Sequence, residues 1–313
     1  MPICTSCTTP VPYLYTLYES AYNLRLEQCP NCHAFADPYV EHDPLILVLD
    51  LILLKRDVFR HLIYNRGSEP RKLTDNSRDF PKPEAPPIAD KVLWSRIGRL
   101  GTGLLFVDSV IRWMRLSPIM VDVSKDGSHS PIRALAHVFL YCLGETVAFH
   151  LGILSAAAIL VPLAQFITKW KRKNTQGGPQ VANQFRLPHI PLALLYASLT
   201  KFFLLFLLSI WPAMQSVPSS LKVPPYLADY PLMVYVWNMF NDLILDREWL
   251  VRNLLGGMAA GFGLRVVLDA HPFIITGVII AGWVSTSAYV HLVDDVLGLA
   301  PAQMASWTRY SIP

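Results

Sequence analysis

Four apolar runs near or above twenty residues dominate the second half of this 313-residue chain: 134–167, 190–211, 250–268 and 272–293. A helix needs about 20 such residues to cross a hydrocarbon core of about 30 Å. Inside lipid the backbone must satisfy its own hydrogen bonds, which a helix does within one segment. The pattern therefore specifies a mainly α, polytopic helical membrane protein. The composition, 52% hydrophobic against 16% charged, is too apolar for an ordinary soluble domain of this length. The formal charge of +4 comes from basic residues that flank apolar runs, as membrane orientation requires, and no basic cluster suited to nucleic acid is present.

Ahead of these runs stand two short cysteine pairs, Cys4-Thr-Ser-Cys7 and Cys29-Pro-Asn-Cys32. Each C-x-x-C can wrap one side of a tetrahedral ion, and two close it with no position left for water. The spacing points to structural zinc held by Cys4, Cys7, Cys29 and Cys32, in a module on the cytosolic, reducing side. A disulfide pair is the alternative. His33 beside Cys32 reads as a surface histidine. Residues 13–18 and 24–28 alternate like two short strands with a turn at 19–21, so residues 1–43 read as a zinc-ribbon-like β module. So short a segment needs the metal to fold.

Residues 44–65 read as an apolar helix with Asp43 as N-cap and Pro44 at the first helical position. Its uninterrupted apolar part, about ten residues, is short of a span, which favours an interfacial helix over a crossing one. On a continuous helix Asp50, Asp57 and His61 share one stripe, a candidate contact for a lipid headgroup or partner helix, or for the zinc module itself. Residues 66–92 are proline- and charge-rich, in the manner of a flexible linker, and 93–133 read as an amphipathic juxtamembrane region. The run 134–168 is too long for one perpendicular span, so a tilted helix, a break near Gly152 or a hairpin all fit. A polar loop follows at 169–188, then membrane helices over 189–295 and a tail at 296–313, with 230–245 a doubtful span. Lys201 sits centrally in an apolar run and must snorkel, pair or face a cavity. Gly257 and Gly261 form a small-xxx-small pair suited to helix packing. Glu145, His137 and His150 fall on different helix faces, which argues against a proton relay, and Cys142 reads as core. No phosphate loop, nucleophile elbow or metalloprotease pair is present, and four cysteines are too few for a RING-type ligase.

The order C-x-x-C, the stretch Leu14 to Tyr18, C-x-x-C, FADPYVEHD, LILVLDLILLK and FRHLIYN ending at Asn65 resembles the ARV family, the acyl-CoA:sterol acyltransferase-related enzymes required for viability. The match covers roughly residues 1–65. Pro38 stands where a lysine is expected and His42 where an aromatic or apolar residue is expected, which bears on how the acidic segment packs. The resemblance implies a multi-pass protein of the endoplasmic reticulum membrane, extending to the Golgi. It also implies roles in sterol homeostasis and intracellular lipid transport, in sphingolipid metabolism and in delivery of glycosylphosphatidylinositol-anchor (GPI) intermediates. No catalytic mechanism attaches to the family, so the expectation is a non-enzyme with sterols, sphingolipids or GPI intermediates as its lipid partners. A scaffold or accessory subunit of a lipid-synthetic complex is the alternative, and an acyl- or glycosyl-transferase using Glu145 or His150 is the outside one.

Overall fold

The computed structural model describes residues 1–18, 23–72, 88–123, 131–171, 186–210 and 250–297. The expected turn at 19–21, the span at 230–245 and nearly all of the tail lie outside them. Two strands, β1 (Tyr15–Leu17) and β2 (Leu24–Leu26), pair antiparallel with Thr16 opposite Arg25. A third strand, β3 (Arg71–Lys72), adds to β1 in parallel, so the region expected to be a linker returns to the ribbon. The ribbon's own core is small: Cys4, Val11, Leu14, Cys29 and Ala36.

Helix α1 (Pro44–Ile52) begins as the sequence specifies, with Asp43 at the cap and Pro44 in the first turn, although the Asp43 side chain makes no capping bond. It stops after nine residues. Leu54 adopts a left-handed conformation (φ 56°), and the Leu54 and Lys55 amides return to the carbonyls of Leu51 and Asp50. That is a Schellman termination, here with leucine where glycine is usual. The chain then turns into α2 (Arg56–Arg60), which widens into a π turn, His61–Asn65. The break at 53–55 splits the expected single helix.

Five longer elements follow: α3 (Ile88–Val123), α4 (Pro131–Lys171), α5 (His189–Ile210), α6 (a π turn Leu250–Leu255 continuing into Gly256–Leu268) and α7 (Pro272–Leu297). Among the described residues, four segments are long and apolar enough to cross a membrane: Leu135–Leu163, His189–Leu208, Leu250–Leu268 and Pro272–Val293. The 134–168 run is thus one continuous helix that carries Pro162 inside it, neither broken at Gly152 nor folded into a hairpin. α4 and α7 run antiparallel: a Cβ at Gly144 would meet Tyr289, at Gly152 Ser285, and at Gly277 Leu160. α5 and α6 are antiparallel too, Gly263 meeting Ala193 and Gly256 meeting Lys201. The outer faces remain apolar, with Leu140, Leu151 and Ile159 on α4 and Phe273, Ile280 and Leu292 on α7 all exposed. Exposed apolar area of this extent needs lipid around it.

The α1–α2 segment and the bundle share one core, which Tyr39 joins from the ribbon. Tyr39, Leu51, Phe59, Leu62 and Ile63 pack in the same cluster as Ile190, Leu192, Ala259 and Leu264. Phe59 meets Phe262 edge-on at 5.7 Å, and Tyr64 meets His189 at 4.8 Å. The Ile52 carbonyl, orphaned at the end of α1, accepts from Thr200 Oγ1 at 3.0 Å. Thr200 lies about 16 Å along α5 from its first residue at 1.5 Å per residue. The α1–α2 pair therefore lies along the first half of α5.

Candidate metal centre and the buried polar networks

Each cysteine pair sits on a tight loop, and the two loops are built alike. Thr8 and His33, the residues after the second cysteine of each pair, are both left-handed (φ 64° and 59°). Their amides return to the carbonyls of Cys4 and Cys29, while the amides of Cys4 and Cys29 reach the carbonyls of Thr9 and Ala34. The repeated geometry turns backbone amides toward the sulfurs and aims four Sγ atoms at one point, all within 4.8 Å of one another. Cys4 and Cys32 stand 3.7 Å apart, Cys7 and Cys29 3.5 Å. Tetrahedral zinc with Zn–S near 2.3 Å needs sulfurs about 3.8 Å apart, so the set fits a four-thiolate metal centre. The cysteines are free thiols, which removes the disulfide alternative. Burial pushes the Cys4 thiol up to about 12. At Cys7 burial also raises the pKa, but hydrogen bonding with Thr9, at its hydroxyl and its amide, outweighs it and brings the thiol down to about 6. A bound cation would hold all four as thiolates. Four sulfurs around one ion would leave no open coordination position, which is the arrangement of a structural site. His33 is exposed, as a surface histidine should be.

The centre is tied to the helices by side chains that the sequence offered only as a motif. Asn65 acts as a strand partner for Ile3: Ile3 N–H donates to its Oδ1 and its Nδ2 donates to Ile3 O, both at 2.8 Å. Asn65 Nδ2 also donates to Asp37 Oδ2 at 2.7 Å, and His61 Nδ1 lies 2.7 Å from the same oxygen. Asp37 is fully buried, and its other oxygen accepts from the Tyr39 amide, capping the 3-10 turn Pro38–Val40. Proline is well placed at the first position of that turn, and His42 packs edge-on to Tyr39 at 5.0 Å, so both departures from the family pattern are accommodated. Tyr39 OH donates to Asp50 Oδ2 at 2.9 Å, and Lys55 Nζ pairs with Asp50 Oδ1 at 2.7 Å. Arg60 Nη1 donates to the carbonyls of Thr5 and Ser6 in the first cysteine loop, at 2.5 and 2.9 Å.

The three stripe residues therefore part company. Asp50 and His61 turn inward to the ribbon, and Asp57 lies half-exposed, 4.0 Å from Arg60. Lys201 is buried in the bundle, its ammonium 4.8 Å over the Phe202 ring, and it lines a cavity of about 40 Å³ with Asp108, Thr146, His150, Ser198 and Gly256. A Cβ at Gly261 would stand 3.1 Å from Ile279 of α7, whereas Gly257 is half-buried. Gly263, whose Cβ would stand 3.0 Å from Ala193 O, makes a tighter helix approach than either.

Next to Lys201 lies a second buried network. Arg112 bridges Asp108 on its own helix (3.0 Å) and Glu145 on α4 (2.6 Å), and Arg252 Nη1 of α6 donates to Asp108 Oδ1 at 2.6 Å. All four are nearly inaccessible. Region 93–133, expected to lie amphipathic at the membrane surface, instead carries Asp108 and Arg112 into the bundle on α3. The i,i+4 pair Asp108/Arg112 was the available signal for it. Among the described residues, Glu145 Oε1 and Arg252 Nε and Nη2 have no hydrogen-bond partner.

A family model described as the Arv1-like family matches residues 3–224. Over 63 residues the chain is 46% identical to the protein arv1 of Schizosaccharomyces pombe, covering 20% of this chain and 24% of that one. It is 44% identical over 63 residues to ARV1 of Saccharomyces cerevisiae, covering 20% and 19%. With ARV1 of Eremothecium gossypii the identity is 31% over 122 residues, 36% of this chain and 38% of the relative. The matches thus span well under half the length of these relatives. No solved structure matches the chain. A metal-ready cysteine ribbon, docked on an apolar helical bundle and matched over most of its length by one family model, places this chain in the Arv1-like family.

Proposed function

We propose that the chain acts in sterol and lipid homeostasis as a multi-pass protein of the endoplasmic reticulum membrane, with zinc in its cysteine site. The observation that carries this reading is the junction between the cysteine ribbon and the lipid-exposed bundle: Tyr39 of the ribbon and the α1–α2 segment pack in the bundle's core, and Asn65 and Arg60 bond the ribbon's backbone. Sphingolipid metabolism, delivery of GPI intermediates and a Golgi pool belong to the same proposal. No catalytic role is assigned. Glu145 is engaged with Arg112, and His150 Nδ1 lies 2.7 Å from the Thr146 carbonyl.

The same proposal puts the ribbon on the cytosolic side. Arg60, Arg66, Arg96 and Arg99 stand toward the end of the bundle where α5 starts, and the C-terminal end of α4 reaches that same end; in sequence, Lys171, Arg172 and Lys173 follow directly. Basic residues gather on the cytosolic face. Since α3 runs beside α5 and α4 returns antiparallel, ribbon and basic loop share a side with no hairpin in α4.

The test is transfer of a fluorescent sterol between donor and acceptor vesicles carrying the purified full chain. Protein-dependent acceleration, reduced in the Cys29→Ser variant, is expected. Transfer at the protein-free rate, with recovery of lipid-synthetic enzymes on affinity purification, would favour the accessory-subunit reading instead.

A further inference from the structure

The exposed face of α3 carries an open groove against α4. Gly98, Arg99, Thr102, Gly103 and Phe106 line it from α3 and Phe139 from α4, and it encloses about 630 Å³. Ligand sites typically measure about 300–1,000 Å³. The five α3 residues form one helical stripe. The glycines open the groove, since a Cβ at Gly98 or Gly103 would meet nothing within 4 Å.

Its depth follows from the neighbouring span. A Cβ at Gly101 would lie 3.6 Å from Leu195, and Asp108 shares a cavity with Lys201, so α3 and α5 run parallel and in step. Arg99 therefore stands about one turn inside the start of α5, and Phe106, seven residues on, lies roughly 10 Å deeper. Helical side chains lean toward the N-terminus, which for α3 is the headgroup end, and an arginine there can snorkel outward. The groove thus runs from a cation at headgroup level to two phenylalanines in the hydrocarbon.

Arg99 is one of three cations. Arg96, one turn before it, donates through Nη1 and Nη2 to the Arg66 carbonyl, each at 3.4 Å. The charged side chains that act on Arg96 are Arg66 and Arg99. Among the described residues, Glu69 included, no carboxylate pairs with any of the three. Like charges one helical turn apart repel, so the cluster calls for an outside anion. Positive-inside bias explains the sign of these residues, but not an apolar groove that begins at one of them.

We propose that this groove binds one anionic glycerophospholipid from the leaflet on the ribbon's side, with its headgroup on Arg66, Arg96 and Arg99 and one acyl chain over Gly98, Gly103, Phe106 and Phe139. The proposal deepens the lipid reading above and rests on it for the membrane around the bundle.

The test is calorimetry on the full chain in detergent with three probes: dioctanoyl phosphatidylserine, dioctanoyl phosphatidylcholine, whose headgroup has no net charge, and inorganic phosphate. Phosphatidylserine should bind saturably and about tenfold more tightly than phosphatidylcholine, and phosphate should not displace it. The double variant Arg96→Gln/Arg99→Gln should lose about tenfold or more for phosphatidylserine, with Arg96→Lys/Arg99→Lys retaining most of it. Gly103→Trp, which adds bulk at an exposed position, should fill the groove and weaken phosphatidylserine while the cations stay in place. Equal binding of the two lipids by the unaltered protein would overturn the site, as would displacement by phosphate. So would undiminished phosphatidylserine binding in either the glutamine or the tryptophan variant. Because the readout is phospholipid binding, its failure is separate from a failure of sterol transfer between vesicles.

Discussion

Asn65 carries the junction between ribbon and helices. It satisfies the Ile3 backbone at both of its polar atoms and shares the buried Asp37 carboxylate with His61. Asn65→Ala leaves those groups unpaired at 2% exposure, which should cost about 2–4 kcal/mol and speed extraction of the metal by a chelator. Asp57→Ala, on the half-exposed side, should change the extraction rate little. Asp50 gives a pH signature. Burial raises its pKa, but hydrogen bonds from Lys55 and Tyr39 outweigh that and hold it below the ordinary carboxylate value. A depressed folded-state pKa means stabilisation that is present above the unfolded value and lost as pH falls through the folded one. Acidification should therefore raise hydrogen exchange at the Lys55 amide, which is bonded to the Asp50 carbonyl. In Asp50→Asn that acid-dependent increase should be absent. The motif residues were visible in the sequence, but not their pairings. Asp37 and Asn65 lie 28 positions apart and Ile3 and Asn65 62, so no periodicity connects them.

At the scale of elements, the ribbon was largely legible: cysteine spacing specified the metal set and alternation the two strands. The β3 strand was not, because two residues in a proline- and charge-rich stretch carry no strand pattern. The expected single helix over 44–65 failed at Leu54, where the chain takes a left-handed turn without glycine and Lys55 pairs back to Asp50. Helix packing supplies a matched pair of tests. A Cβ at Gly282 would lie 2.7 Å from Ile153 Cγ1 and 3.0 Å from Phe149, whereas at Gly103 it meets nothing within 4 Å. Gly282→Val should destabilise the bundle by about 2 kcal/mol or more. Gly103→Ala should stabilise it by about 0.5–1 kcal/mol through helix propensity. Thermal unfolding in detergent reads both.

For the whole molecule, the apolar runs located the four candidate spans to within a few residues, since hydropathy alone decides what lipid can surround. Sidedness was not legible, because it depended on α3. A helix whose charges are paired inside a bundle looks amphipathic in sequence, and only Arg112 reaching Glu145 reveals where it lies. The resulting arrangement joins ribbon and bundle through Tyr39 and the α1–α2 segment, with the cysteine site at the end of the bundle where α5 starts. Single cysteines placed at Glu69 and at Ser130 should accordingly label from opposite sides of sealed microsomes, Glu69 from outside. The claim beneath all of this is that the four sulfurs hold one structural zinc, and the most direct check is the metal content of the full chain purified without chelator. The account predicts one zinc per chain in the unaltered protein and none in Cys29→Ser. Metal-free protein that is nevertheless folded would contradict it.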